Sequence, residues 1–266
     1  MSVKAVVFDW AGTMIDHGSR APMGAFVEVL SRFQVPITIA EARKPMGLPK
    51  RDHVKALLTE PGIAARWRKA HGHGPGENDI DRVYEAFVPL NAAVVSDHAD
   101  LIPGVIETIA ELRARSIRIG STTGYTRDIM ERLLPLAAKQ GLTPDNLICA
   151  GDLPAGRPTP MMMYKCFLDL GVWPAAAVIK VDDTEPGIAE GIAAGTWTVG
   201  VALSGNALGL SREELARLSD SERVEGRKTA TATLRRCGAH YVIDSVADLI
   251  PIVDKIEGRL LRGKRP

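Results

Sequence analysis

From residue 100 onward the chain repeats one pattern: a short, nearly continuous apolar run, then a segment whose apolar residues recur at helical spacing. "IRIGSTTG" is followed by "TRDIMERLLPLAAKQG", "NLICAG" by "TPMMMYKCFLDLG", "AAVIKVDD" by "PGIAEGIAAG", "TWTVGVAL" by a charged helical stretch, and "AHYVID" by "VADLIPIVDKI". A strand that is apolar on both faces must be covered on both, and a helix between successive strands makes them parallel. The pattern predicts an α/β fold with a doubly wound parallel sheet, to which Val3 to Phe8 adds one strand. Between that strand and the helix starting near Pro103, "MGAFVEVLSRF", "RDHVKALLTE" and "DIDRVYEAFVPLNAAVV" have helical spacing, with no convincing strand among them. Residues 20–99 are therefore expected to form an inserted α-helical domain, with "GHGPGEN" as a loop, and residues 1–19 and 100–266 the core.

Composition narrows the function classes. With 45% hydrophobic and 24% charged residues and a formal net charge of +1, the chain has no concentrated basic surface for nucleic acid. The basic tail "RLLRGKRP" is short and reads as solvated. No apolar run is long enough to span a bilayer, and one early lysine before a short apolar run does not make a secretion signal. Cys149, Cys166 and Cys237 are too scattered for a disulfide framework or a thiolate metal site. The expectation is a soluble cytoplasmic protein with a small-molecule substrate and no membrane or nucleic-acid partner.

In an open α/β sheet, ligands bind beyond the carboxyl ends of the strands. The residues there are Asp9, Ser121 to Gly124, and Asp182 with Asp183. Carboxylates brought together without an obvious counter-charge repel, which favours a hard cation such as Mg²⁺. Asp9 and Asp183 are the candidate ligands, with the Ala11 carbonyl a third; Asp183 has a second reading as N-cap of the following helix. The hydroxyls and glycine of "STTG" either bring amides to an anion at the start of the next helix or form a plain strand-to-helix turn. Arg157, between Gly156 and Pro158, either holds a phosphoryl oxygen or makes a surface ion pair.

An aspartate nucleophile, a hydroxyl, a fixed cation and Mg²⁺ around one crevice describe phosphoryl transfer through an aspartyl-phosphate. "FDWAGT", "GSTTGYT", Arg157 and "VDDT" resemble the four motifs of the haloacid dehalogenase superfamily. That resemblance implies a Rossmann-like core, an Asp9 that attacks phosphorus, and a helical cap inserted after the first motif. Superfamily phosphatases usually carry a second aspartate two residues after the nucleophile, as proton donor to an oxygen leaving group. Here that position is Ala11, so the leaving group must be helped in another way.

The inserted segment offers one in "EARKPMGLPKRDHVKAL". Lys50 follows the Gly47 to Pro49 turn at a helix start, and His53 lies three residues on, on the same face. A lysine of pKa ~10.4 is only about 0.04% neutral at pH 7. The helix N-terminus, the neighbouring Arg51 and burial would each lower that pKa and expose a nucleophilic amine, whose imine with an aldehyde is an electron sink for a carbon leaving group. Taken alone, Lys50 reads equally as a solvated helix residue.

Ala11 together with "RKPMGLPKRDH" resembles the phosphonoacetaldehyde hydrolases (phosphonatases), over nearly the whole chain. The resemblance implies hydrolysis of phosphonoacetaldehyde to acetaldehyde and phosphate in 2-aminoethylphosphonate degradation. It implies Asp9 as nucleophile, Lys50 as imine former, and Mg²⁺ held by Asp9, the Ala11 carbonyl and Asp183. It places Thr123, Gly124 and Arg157 at the phosphoryl group, and His53, Met46 and Tyr125 near the aldehyde. It also implies a homodimer, for which "APMGAFVEVLSRF" serves either as interface or as core of the cap. Some members carry an acid where this chain has Gly187, and Asp182 is the candidate to take over part of that role. The rival readings are a phosphate-ester phosphatase of the same superfamily and a non-catalytic phosphate-binding protein. His71 and His73 are expected to be solvated, and Trp10 to pack beside the crevice.

Overall fold

In the computed structural model, which describes residues 1–266, six parallel strands form one sheet. They are β1 (Ala5–Phe8), β2 (Arg118–Thr126), β3 (Ile148–Ala150), β4 (Val178–Asp182), β5 (Trp197–Val201) and β6 (Tyr241–Ile243), in the order β3-β2-β1-β4-β5-β6. β1 is central, with Phe8 level with Ser121 of β2 on one side and Val181 of β4 on the other. The chain winds outward from β1 in both directions, so the crevice where ligands bind in such sheets opens at the end of β1.

Five helices separate β1 from β2: α1 (Ala21–Arg32), α2 (Ile39–Arg43), α3 (Lys50–Thr59), α4 (Pro61–His71) and α5 (Glu77–Val94). The expected helical insertion thus contains two helices beyond the three legible in the sequence. α2 is too short to show a period, whereas α4 is opened by Pro61 in its first turn and by the Glu60 carboxylate, which accepts from the Ile63 amide at 2.9 Å. The core helices are α6 (Val105–Ala114), α7 (Arg127–Lys139), α8 (Met161–Leu170), α9 (Glu185–Ala193), α10 (Arg212–Arg217), α11 (Asp220–Arg236) and α12 (Ile250–Leu261).

Alternate residues of β1 serve opposite faces, as a strand's two-residue period requires. Val6 and Phe8 pack with α6, α7 and α12 in one core, and Ala5 and Val7 with α8 in another. The insertion has a separate core running from Met23 to Phe87. The apolar face of α1, including Phe26, Val29 and Leu30, is buried there within a single chain, so "APMGAFVEVLSRF" is core rather than interface. No helix is long and apolar enough to cross a membrane.

Candidate active site

β1 delivers Asp9 to the crevice, and the Asp9 amide extends the ladder by donating to Val181 O at 3.0 Å. β4 ends at Asp182, with Asp183 next. Carboxylate oxygens of Asp9, Asp182 and Asp183 lie within 4.8 Å of one another, all three residues buried. The expectation that these acids lack a counter-charge does not hold. Arg157 is buried among them: Nη2 is 2.8 Å from Asp9 Oδ1, Nη1 3.3 Å from Asp182 Oδ2, and Nε 3.1 Å from Glu190 Oε2. Its surface-pair reading fails with that burial. Lys180, inside β4, donates to Thr122 Oγ1 at 2.6 Å and lies 3.1 Å from Asp182 and 3.2 Å from Glu190.

Four buried carboxylates, Asp9, Asp182, Asp183 and Glu190, thus face two paired cations, Arg157 and Lys180. The excess of two negative charges and an all-oxygen donor set match one hard divalent cation. Titration reflects the same crowding. Burial, reinforced by Asp182, pushes Asp9 up to about 6. Burial, then Asp9 and Asp182, pushes Asp183 well above the carboxylate range, whereas Asp182, though buried, is held below it by Arg157 and Lys180.

The N-cap reading of Asp183 is corrected: Thr184 caps α9, its Oγ1 accepting from Gly187 N at 3.3 Å. Asp183 instead accepts from Thr13 Oγ1 at 3.1 Å and from the Asn206 amide at 2.7 Å. A Cβ on Gly187 would lie 1.9 Å from Asp182 Oδ2, so the Asp182 carboxylate fills the space where an acid at 187 would begin. The two positions exclude each other sterically.

A cleft lies between the sheet and the insertion. Asp9, Ala11, Thr123, Gly124, Tyr125 and Arg157 form the core wall; Met46 and Lys50, with Gly47, face them from the insertion. Sequence reasoning did not single out Ser19, Pro22 and Thr184, which also line it. β2 does not turn at Gly124 as expected but runs to Thr126, with its register against β3 shifting between Thr123 and Thr126. Such an irregularity re-aims side chains. Only Thr123 and Gly124 of "STTG" therefore reach the cleft. Ser121 Oγ accepts from the buried Trp10 indole at 2.6 Å, and Thr122 joins the ion network beneath. A helix start at Arg127 leaves Gly124 outside the first turn of α7. A Cβ there would sit 3.1 Å from Leu48 O, so glycine permits the close approach of the insertion.

Lys50 is the first residue of α3 and only 5% exposed. Its Nζ is 3.9 Å from Met46 Sδ and 5.1 Å from the centre of the Tyr125 ring, and no carboxylate lies within ion-pair distance. Burial brings its pKa down to about 8, against the pull of Asp9 and with the help of Arg157. Arg51 has no part in this shift: it pairs with Asp81 at 2.7 Å and Glu77 at 2.9 Å at the surface.

His53 is not part of the cleft wall. It lies behind Lys50, stacked on Phe26 at 3.9 Å, with Nε2 donating to Ala42 O at 2.8 Å and Nδ1 without a partner. Burial, then the charge of Lys50, keeps the ring neutral. His71 is not solvated as expected; it bonds Phe33 O at 2.9 Å and packs on Trp67.

A family model described as haloacid dehalogenase-like hydrolase matches residues 3–195. Over 264 residues the chain is 57% identical to a phosphonoacetaldehyde hydrolase of Paraburkholderia phytofirmans, covering 99% of both chains. It is 46% identical to that of Vibrio cholerae, covering 99% of this chain and 98% of the relative. The crystal structure of a phosphonoacetaldehyde hydrolase-like protein from Oleispira antarctica superimposes with a TM-score of 0.98 at 44% identity, covering 100% of this chain and 96% of that one.

Proposed function

The chain belongs to the haloacid dehalogenase-like hydrolases and, among them, to the phosphonoacetaldehyde hydrolases, and on that footing we propose that it cleaves the carbon–phosphorus bond of phosphonoacetaldehyde through a lysine imine and an aspartyl-phosphate. The observation that carries this reading is a buried Lys50 amine, free of any carboxylate partner, lining one small cleft with Asp9 while Ala11 offers no acid.

Residues 20–99 act as a cap that closes Lys50 over Asp9 and excludes bulk water. The neutral Lys50 amine adds to the aldehyde and loses water, forming the imine. Arg157 and Thr123 hold the phosphonate oxygens, and an Asp9 oxygen attacks phosphorus. The carbon–phosphorus electrons pass into the protonated imine, leaving a neutral enamine on Lys50 and a phosphoryl group on Asp9. Protonation of the enamine carbon and addition of water release acetaldehyde and Lys50; water on the aspartyl-phosphate releases phosphate and Asp9. Mg²⁺, when held by Asp9, Asp183 and the Ala11 carbonyl, supplies neutralisation of the phosphonate charge. Met46 and Tyr125 belong to the aldehyde end, and neutral His53 sits behind Lys50 rather than against the substrate. The substrate is the aldehyde formed when 2-aminoethylphosphonate loses its amine.

The test is acetaldehyde release with Mg²⁺, coupled to alcohol dehydrogenase, beside phosphate release from an aryl phosphate. Acetaldehyde with little ester cleavage is expected. Ester cleavage without acetaldehyde would establish a phosphatase instead, and phosphate binding without turnover would establish a binding protein.

A homodimer is also proposed. Met161, Tyr164 and Leu168 are exposed along one face of α8, Leu168 at 78%, and Trp173 beyond it is equally exposed. Apolar side chains grouped in this way mark an association surface. Sedimentation equilibrium should give a dimer at micromolar concentration, and a monomer would overturn the assignment.

A further inference from the structure

Away from the catalytic cleft, Arg43 joins the insertion to the core beside two ion-pair contacts, Arg20 with Glu214 at 3.5 Å and His98 with Asp16 at 3.2 Å. Arg43, the last residue of α2, donates from Nη1 to Gly18 O at 2.7 Å and Asn206 Oδ1 at 3.0 Å, and from Nη2 to Gly209 O at 3.2 Å. Gly18 belongs to the connection entering the insertion; Asn206 and Gly209 belong to the core loop after β5. None of these partners is a carboxylate, so neutral oxygens of core backbone and amide meet the guanidinium charge. Gly209 lies at φ +69°, and a Cβ there would sit 2.5 Å from the guanidinium carbon, so the loop is shaped to this side chain.

The same loop touches the active site from its other side. While the Asn206 side chain receives Arg43, the Asn206 amide donates to Asp183 Oδ2 at 2.7 Å. Arg43, Asn206 and Asp183 also line one cavity, which shares Met46 and Thr184 with the cleft that holds Lys50. A single residue therefore holds an arginine of the insertion and a carboxylate of the candidate cation site.

We propose that Arg43 is a positioning residue that couples closure of the insertion to placement of the Asp183 carboxylate through Asn206. With the insertion down, Arg43 fixes the loop and the loop fixes Asp183; with it raised, both are released. Closure and cation binding then favour each other, because each stabilises the same arrangement. This rests on the reading that Asp183 holds the cation.

The test uses Arg43→Ala, Asn206→Ala and the double variant in the full chain, with circular dichroism and Tm as controls for folding. In Mg²⁺ and inorganic phosphate, amide hydrogen exchange across residues 203–209 should accelerate about tenfold or more in Arg43→Ala, while β1 and β4 keep their protection. The value of kcat/KM should fall by a similar factor, with the double variant no worse than the poorer single. Unchanged exchange in that loop, or losses that simply add, would overturn the coupling. Calorimetry of Mg²⁺ binding to Asp183→Asn separates the underlying reading: an affinity equal to the parent's would remove Asp183 from the cation site while leaving the exchange result to stand for the loop contact.

Discussion

Borohydride added together with phosphonoacetaldehyde is expected to inactivate the enzyme irreversibly and to label Lys50, and Lys50→Arg is expected to lose turnover by at least about a thousandfold. Arginine keeps the positive charge and most of the length, but its guanidinium does not lose a proton and cannot form the imine. The variant therefore separates a nucleophilic amine from a mere cation. Lys180 supplies an internal control. It is also fully buried, but it lies beneath the cleft, bonded to Thr122 and paired with Asp182 and Glu190, and should stay unlabelled. The pH profile follows from the lowered pKa of Lys50, about 8. In the proposed reaction the neutral form is the reactive one, so kcat/KM should rise about tenfold per pH unit below that value and level off above it. At pH 7 roughly a tenth of the amine is then neutral, against about 0.04% for a solvated lysine. A break above pH 10 would show that burial does not tune the amine, and near-normal turnover of Lys50→Arg would remove the imine from the reaction.

The strands and their parallel sense were legible because each is short, apolar on both faces and followed by a helix. Asp9, Asp183 and Arg157 could be singled out because they stand at strand ends or in a rigid loop, where the topology brings distant segments together. The ion network beneath them was missed, although "VIKVDD" carried a signal: a lysine inside a continuous apolar strand must find buried partners. Glu190 gave no such sign, since a single acid on α9 looks like solvated surface until Arg157 and Lys180 are seen around it. Arg51 was misread for the opposite reason. Adjacency to Lys50 along a helix suggests a shared field, yet successive residues diverge by about 100° around the axis, and Arg51 turns to Asp81 and Glu77. Arg43 was illegible because its partners are backbone oxygens and an asparagine amide, which leave no mark in composition or spacing.

Asp9→Asn is expected to abolish phosphate release, by about ten-thousandfold or more, while leaving borohydride trapping at Lys50 intact. The substitution preserves shape and an acceptor oxygen for Arg157, now 2.8 Å from Asp9 Oδ1, but an amide does not attack phosphorus. In the proposed reaction the two half-reactions fall on different parts of the chain, Lys50 on α3 and Asp9 after β1, so removing one proposed nucleophile should expose the other. The variant also tests the charge count. Without Mg²⁺, Asp9 faces the like charge of Asp182 and adds to the crowding of Asp183. Neutralising it relieves that repulsion, so Tm in chelator should be no lower than the parent's, and the stabilisation gained from Mg²⁺ should shrink. Persisting phosphate release would show that another group attacks phosphorus. Loss of trapping together with loss of turnover would show that Asp9 is needed before the imine forms, and the two halves of the site would then act as one unit rather than in succession.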